Sequence, residues 1–173
     1  MNETILSLGG NLGNRLDNIF QAMGHIEKRI GNIKRYSSVY ESEAWGFETE
    51  DRFLNVVVVV ETALSPETLL QKAQEIETLL GRTRTGTGYA SRTMDIDILF
   101  FNEEIINTPT LTIPHPLLHE RRFVLLPLHE ILPDTVHPVL RKTIAELLAE
   151  CRDEKELQVT SFELQVRKLA GGG

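Results

Sequence analysis

Cysteine is nearly absent from this 173-residue sequence, and long apolar runs are missing. Cys151 is the single cysteine, so no internal disulfide can form, and we expect a structural role for it. The longest unbroken apolar run, residues 56–60, is far too short to span a bilayer. The first residues also lack the basic and apolar regions of a signal peptide. We therefore expect a soluble, cytoplasmic protein without membrane contacts.

Positive charge is also scarce. The chain has 18 Lys and Arg residues against 25 Asp and Glu residues, a net charge of −7. Residues 81–94 carry three arginines and no acidic residue, which leaves −10 on the rest. This balance argues against broad nucleic-acid binding. It favours a compact anionic ligand at the basic segment, because guanidinium groups bind phosphate oxygens bidentately.

The length and the apolar content of 41% suit one compact domain with its own core. We place that domain at residues 1–153 and treat residues 154–173 as a C-terminal extension. The extension alternates weakly between apolar and polar residues over positions 157–166 and ends in three glycines. An extra strand, a disordered extension and the remnant of a fused partner all remain open for it.

Two carboxylates, Asp95 and Asp97, interrupt an apolar run at residues 94–101 that predicts a strand. Side chains alternate along a strand, so both aspartates project from one face, roughly 6–7 Å apart. That spacing suits one or two hard cations that hold a polyphosphate, although a solvated polar face is the plainer interpretation. The opposite face is predicted to carry Ile96, Ile98 and Phe100.

Hydrophobic periodicity predicts the remaining elements. Helices are expected over residues 16–30, capped by Gly31, and from Ser65-Pro66 to Gly81. Further strands are expected over residues 4–8, 34–41, 53–62, 104–107 and 111–113, and further helices over residues 122–132 and 143–151. The order β-α-β-β-α-β predicts an α+β, ferredoxin-like split βαβ fold with additional C-terminal helices. Its antiparallel sheet would have helices on one face and a ligand on the other.

Two loops carry polar or glycine-rich motifs. Residues 9–14 lack both the P-loop and the Rossmann glycine spacing, so they form either a tight turn or part of a substrate site. His115 lies between two prolines and is either a rigidly presented hydrogen-bond donor or an ordinary loop residue. A zinc pair with His119 is disfavoured because Pro116 interrupts a helix and no third ligand is near.

Five ordered motifs together resemble the 6-hydroxymethyl-7,8-dihydropterin pyrophosphokinase family of folate biosynthesis, over residues 2 to about 150. They are Ser7-Leu8-Gly9-Gly10-Asn11-Leu12-Gly13, Phe53-Leu54-Asn55, Gly81-Arg82-x-Arg84, Arg92-x-x-Asp95-Ile96-Asp97-Ile98-Leu99, and Pro114-His115-Pro116 with Arg121-Arg122-Phe123. A lone Asp-x-Asp motif occurs in many unrelated proteins, whereas five motifs in this order and with matching gaps are specific to the family.

The resemblance implies a transferase that moves the β,γ-diphosphate of ATP onto the pterin hydroxymethyl oxygen and releases AMP. It assigns two Mg²⁺ ions to Asp95 and Asp97. Arg82 and Arg92 would stabilise charge at the attacked phosphorus. The partners implied are ATP and the pterin, with no nucleic acid or membrane, and a monomer is expected.

The same resemblance assigns binding residues. The ATP site would comprise Gln74, Glu77, Arg82, Arg84, Arg92, Ile98, Leu111, Thr112, His115 and Arg121. The pterin site would comprise Ser42, Ala44, Trp45, Phe53, Asn55, Tyr89 and Phe123, with the two phenylalanines enclosing the ring. Without the resemblance, Gln74 and Glu77 are ordinary helix surface and the phenylalanines are core residues.

The sequence departs from the family at several loop positions. Gly88 stands where many members have a basic residue, Ser91 where proline is frequent, and Tyr89 where tryptophan is common. Thr110 lacks the positive charge that some members place there. The alternatives to a pyrophosphokinase are a magnesium-dependent nucleotidyltransferase, whose usual Gly-Ser ahead of the aspartates is missing, and a non-catalytic nucleotide-binding module.

Overall fold

A computed structural model describes residues 1–46, 49, 51–81 and 93–162. Within these ranges the chain forms eight strands and four α-helices, in a mixed α/β arrangement. In chain order these are β1 (Asn2–Gly10), α1 (Arg15–Arg29), β2 (Gly31–Tyr36), β3 (Tyr40–Ser42), β4 (Phe53–Thr62), α2 (Pro66–Leu79), β5 (Asp95–Phe101), β6 (Ile106–Asn107), β7 (Thr112–Ile113), α3 (Arg122–Ile131), α4 (Ile144–Glu150) and β8 (Leu157–Val159). A 3₁₀ turn, Leu118–Glu120, precedes α3.

The main sheet has six antiparallel strands in the order β5-β1-β4-β3-β8. Strand β2 pairs with the other end of the long β4, so β2 and β3 share one side of it. The single strand predicted over residues 34–41 is therefore two strands. Strands β6 and β7 form a separate small hairpin.

Helix boundaries follow local capping. The Asn14 side chain accepts a hydrogen bond from the Asp17 N–H at the start of α1, and Ser65 caps α2 ahead of Pro66 as predicted. Thr143 and Glu146 form a capping box at α4. Most of the predicted element boundaries shift by one or two residues, which is ordinary for helix and strand ends.

Apolar residues cover both faces of the sheet. On one face β1, β4 and β5 pack against α1 and α2, in a cluster that includes Leu6, Val58 and Met23. On the other face Ile5 and Val59 pack against α3 and α4. The prediction that helices cover one face only is therefore wrong. The two C-terminal helices cover the apolar half of the second face and leave its polar half for a cavity.

A bulge in β5 corrects the predicted position of Phe100. Leu6 pairs with Ile98, but Ile5 pairs with Phe100, so Leu99 is an extra residue in β5. The alternation resumes in the opposite phase. Ile96 and Ile98 pack towards α1 and α2 as predicted, whereas Phe100 packs in the α3 and α4 cluster.

Gly31 is required for a close backbone approach and does not cap α1 through a left-handed turn. The helix cap is Ile30, and Gly31 begins β2. A Cβ atom at Gly31 would lie 2.1 Å from the Glu61 carbonyl oxygen on β4. The absence of a side chain therefore lets β2 start against β4.

We expect Gly31→Ala to destabilise the protein by about 1–3 kcal/mol, the usual cost of overpacking a fixed backbone contact. The free energy of unfolding in urea measures this. Gly24→Ala, inside the partly exposed α1 helix, makes the same chemical change and should instead stabilise by about 0.5–1 kcal/mol. Equal stability of the Gly31→Ala variant and the unmodified chain would contradict the close-approach argument.

Candidate active site

A cavity of about 550 Å³ lies at the polar half of the second sheet face and continues around the β5 edge to α2. Its lining residues are Ser7, Gly9, Ser42, Glu43, Trp45, Phe53, Asn55, Leu70, Gln74, Glu77, Asp95, Ile96, Asp97, Ile98, Pro109, Thr110, Leu111, Thr112, His115, Pro116, Arg121 and Phe123. The cavity thus brings together segments from the whole length of residues 7–123.

Strand pairing places the two aspartates on the cavity floor. Asp95 lies opposite Gly9 and Asp97 opposite Ser7, so the predicted common face for the two carboxylates is confirmed. Both belong to the edge strand β5, where a ligand meets no further strand of the described sheet. The Arg121 guanidinium lies 3.9 Å from the Asp97 carboxylate and is itself buried (7% exposed).

The α2 helix closes the cavity at its other end. Glu77 is 2% exposed, and its carboxylate accepts a hydrogen bond from the Ile96 N–H at 2.9 Å. This bond satisfies a backbone donor of the edge strand between the two aspartates. Glu77 is therefore part of the site and not the helix-surface residue that the periodicity alone suggested.

Aromatic side chains form the end of the cavity next to β3 and β4. Arg121 lies between two rings, 4.7 Å from the Trp45 centroid and 5.6 Å from the Phe123 centroid. Phe53, on β4, lines the same end. Neither phenylalanine is fully buried, so simple core packing does not describe them.

Asn55 has a fixed amide orientation at this end. Its Nδ2 donates a 2.7 Å hydrogen bond to the Ser42 hydroxyl. A Cβ atom at Gly9 would lie 2.9 Å from the Asn55 Oδ1. The glycine therefore leaves room for the amide. Of the loop at residues 9–14, Gly9 lines the cavity, while Gly13, with φ of +71°, serves the turn into α1.

His115 is held by the bulge and kept neutral. The backbone N–H of His115 donates to the Leu99 carbonyl at 3.0 Å, and the ring Nδ1 accepts from the Leu117 N–H at 3.2 Å. The proton of the neutral ring is consequently on Nε2. Burial, together with the Arg121 charge, lowers the His115 pKa to about 4, against a smaller opposing effect of Asp95. His115 is thus an uncharged donor above pH 5.

Most predicted site residues meet in this cavity, with one exception among those described. Ala44 is buried (4% exposed) and does not line it, although its neighbours Glu43 and Trp45 do. Arg82, Arg84, Tyr89 and Arg92 lie outside the described residues, as do Gly88 and Ser91.

Sequence reasoning missed several lining residues. Ser7 belongs to a motif that the sequence shows, but only the strand register places it opposite Asp97. Ile96 faces α2, and it lines the cavity because the cavity passes around the β5 edge. Glu43, Leu70 and Pro109 carry no sequence signal that would have singled them out.

Metal-binding groups are few in the described part of the chain, where no three His, Cys, Asp or Glu side chains are placed to hold one ion. Asp95 and Asp97 form a two-carboxylate set beside open space. This set fits Mg²⁺, which uses one or two protein carboxylates and completes its shell with phosphate oxygens and water.

Among the described helices, none is long and apolar enough to cross a membrane.

The lowered His115 pKa predicts a dependence of stability on pH. In the unfolded chain this histidine binds a proton below its ordinary pKa of 6.5, whereas in the folded chain it binds one only below a pKa of about 4. Protonation therefore favours the unfolded chain, and stability should fall as the pH falls from 6.5 to about 4. His25 and His137, whose pKa values burial also lowers, act in the same direction.

We expect His115→Asn to flatten the stability profile between pH 6.5 and 4 by about 1–3 kcal/mol. An asparagine oxygen can replace Nδ1 as the acceptor of the Leu117 N–H, which preserves the loop. Urea unfolding at several pH values measures the effect, with His129→Asn on the exposed surface of α3 as the control. An unchanged slope in the His115→Asn variant would refute the neutral, buried imidazole.

Comparisons with known proteins identify the family of the chain. The family model for 7,8-dihydro-6-hydroxymethylpterin-pyrophosphokinase (HPPK) matches residues 5–133. A 2-amino-4-hydroxy-6-hydroxymethyldihydropteridine pyrophosphokinase of Aquifex aeolicus is 41% identical over 145 residues, 84% of this chain and 89% of that protein. The Bacillus subtilis enzyme of the same name is 42% identical over 131 residues, 75% of this chain and 78% of that one.

A solved structure supports the fold. The Plasmodium falciparum HPPK-DHPS, crystallised with SDX-DHP, superposes with a TM-score of 0.73 at 20% identity. The superposition covers 86% of this chain and 44% of that one, so the present chain spans less than half of the HPPK-DHPS protein. From the family model and the two bacterial relatives, the chain belongs to the 7,8-dihydro-6-hydroxymethylpterin-pyrophosphokinase family.

Proposed function

We propose that this protein transfers diphosphate from ATP to the hydroxymethyl group of 6-hydroxymethyl-7,8-dihydropterin, with release of AMP, in folate biosynthesis. The observation that carries the proposal is one cavity with paired carboxylates at its centre, an aromatic end beside β3 and β4, and a polar helix at the other end. A diphosphoryl transfer needs these three parts, because two substrates must meet at a charged centre.

The fold that supports this site is a ferredoxin-like split βαβ core. With β2 and β3 counted as one interrupted strand, the chain order is β-α-β-β-α-β and the strand order is β5, β1, β4, then β2 with β3. Residues 1–153 form the catalytic domain and residues 154–173 its extension. The protein acts as a cytoplasmic monomer, a state that light scattering of the purified chain would test.

The metal site consists of Asp95 and Asp97. Asp95 and Asp97 would hold two Mg²⁺ ions there, and these would supply positive charge that neutralises the phosphates. The two carboxylates on the cavity floor fix where these cations would lie, and the buried Arg121 beside Asp97 adds a guanidinium donor for the phosphates. Arg82 and Arg92, from the segment outside the described residues, supply further positive charge at the attacked phosphorus, and Arg84 contributes to ATP binding.

The nucleotide occupies the end beside α2 and the β6–β7 hairpin. There Gln74, Glu77, Ile98, Leu111 and Thr112 contact the nucleoside, and His115 and Arg121 contact its phosphates. Because His115 is neutral with its proton on Nε2, it donates a hydrogen bond to phosphate without a charge that varies between pH 6 and 8.

The pterin occupies the aromatic end. Phe53 and Phe123 enclose the ring, and Asn55, held by Ser42, recognises its polar edge. Trp45 lines the slot and Ala44 supports the loop from the interior, and Tyr89, which lies outside the described residues, contributes to pterin binding. In this arrangement the hydroxymethyl oxygen attacks the β-phosphorus, and its proton passes to water. The bond from that phosphorus to the oxygen shared with the α-phosphate breaks, and AMP retains that oxygen.

Product analysis tests the proposal. Purified protein is incubated with Mg²⁺, ATP and 6-hydroxymethyl-7,8-dihydropterin, and nucleotides and pterins are separated by chromatography. We expect pterin-dependent AMP in equal amounts with pterin diphosphate. ADP would indicate transfer of one phosphoryl group, release of inorganic diphosphate would indicate nucleotidyl transfer, and ATP binding without turnover would indicate a binding module; each of these would reject the proposal.

We expect Asp97→Asn to lower kcat by about 10³-fold, because a catalytic metal site is worth several kcal/mol and each tenfold in rate corresponds to about 1.4 kcal/mol. Raising the Mg²⁺ concentration should recover part of the activity. Steady-state rates over a Mg²⁺ titration measure both effects. Asp134→Asn, an exposed residue between α3 and α4, provides the same charge change as a control. Activity within twofold of the unmodified enzyme would contradict the metal role.

A further inference from the structure

The C-terminal segment, defined here as residues 153–160, is built into the wall of the proposed pterin site. Its strand β8 pairs antiparallel with β3, with Leu157 opposite Ser42, a residue that lines the cavity. Beyond the strand, the Thr160 N–H and hydroxyl both donate to the Val39 carbonyl, at 2.8 and 2.9 Å. The segment therefore covers the edge of the sheet next to the aromatic end.

Glu156 in this segment contacts both ends of the loop that joins β3 to β4. The Glu43 N–H donates to the Glu156 carbonyl at 3.3 Å, where the loop begins. Where it ends, the Arg52 guanidinium donates to the Glu156 carboxylate at 3.1 Å. Glu43 lines the cavity, and Phe53, which also lines it, directly follows Arg52. One residue thus fixes both ends of the loop that carries Trp45.

Asp153 connects the same segment to the opposite wall. Its carboxylate accepts a 3.0 Å hydrogen bond from the Arg122 N–H at the first residue of α3, where a negative charge is favourable. The residues on either side, Arg121 and Phe123, line the cavity. Because Arg121 also packs against Trp45, the two walls meet across this contact.

We propose that the C-terminal segment positions the two walls of the pterin site relative to one another, with Glu156 and Asp153 as its positioning residues. The inference rests on the proposed function for what the site binds. The segment begins at Asp153, the last residue of the proposed catalytic domain, and continues into the extension; all of it lies outside the family-model match, which ends at residue 133. Binding of the pterin therefore depends on residues outside that match, whereas binding of ATP at the α2 end does not depend on this segment.

The energetics give this role a recognisable signature. The side chains of Arg52 and Glu156 are 36% and 49% exposed, and exposed ion pairs add little to stability. Misplacing a binding group by 1 Å, by contrast, can cost up to about 100-fold in rate. Loss of the Glu156 carboxylate should therefore affect pterin binding far more than unfolding, and it should leave the ATP end unchanged.

We expect Glu156→Ala to raise the KM for the pterin by about fivefold to twentyfold, below the limit for a 1 Å displacement. The KM for ATP should stay within about twofold, and Tm should fall by less than about 4 °C. Glu154→Ala removes the same charge from an exposed neighbour and is the matched control. Arg52→Ala should reproduce the Glu156→Ala effect, and the double variant should add nothing to it.

A second measurement does not depend on activity. Trp45 is the only tryptophan, so its fluorescence reports on this wall alone. We expect acrylamide quenching of Trp45 to be at least about twofold more efficient in Glu156→Ala than in Glu154→Ala, because the loop is released at its Arg52 end, while the backbone contact with Glu43 remains. If the unmodified chain makes no pterin diphosphate, the proposed function fails while the quenching comparison still tests the segment.

Two results would overturn the inference. One is quenching of Trp45 that is equal in the two variants. The other is a pterin KM equal to that of the Glu154→Ala control, or a rise in both KM values together with a large fall in Tm, which a general loss of structure would cause.

Discussion

The pairing of β5 with β1, with one extra residue at Leu99, determines where the other parts of the site lie. Before Leu99, alternation directs Asp95 and Asp97 to the cavity face. After it, the phase is inverted, and Phe100 packs on that same side of the sheet against α3 and α4. One strand therefore supplies a polar floor and, directly beside it, an apolar surface for the helices that form a cavity wall.

The bulge also provides a free backbone acceptor. The Leu99 carbonyl accepts the His115 N–H, which fixes the loop between β7 and α3 against the strand that bears the carboxylates. Because β5 is the edge strand of the sheet, a second backbone group of this strand is also available to a side chain: the Ile96 N–H donates to the Glu77 carboxylate on α2. The Leu99 carbonyl and the Ile96 N–H are backbone groups that a further strand would otherwise pair with. Here they bind the His115 loop and α2 instead, and so fix both walls of the cavity against β5.

Local patterns in the sequence predicted the elements and the carboxylate face, because alternation and capping depend on neighbours along the chain. Asp95, Asp97 and the Ser65 cap are of this kind. The local patterns did not predict the side on which Phe100 packs, the reason why residue 31 is a glycine, or the position of α3 and α4. Each of these depends on a contact with residues that are distant in sequence. Gly31 is explained only by the Glu61 carbonyl on β4.

The site residues that the family resemblance implies line one cavity where the structure describes them, except Ala44, yet the resemblance carried no account of how they are held. That account lies in contacts between side chains that are distant in sequence. The buried Arg121 shows why it matters: its charge faces Asp97, two aromatic rings and His115 at once. A cation in this position favours anionic oxygens at the centre of the cavity. Burial, and to a smaller extent this cation, keeps the neighbouring imidazole uncharged, so the attraction for anionic oxygens does not vary with a charge on His115.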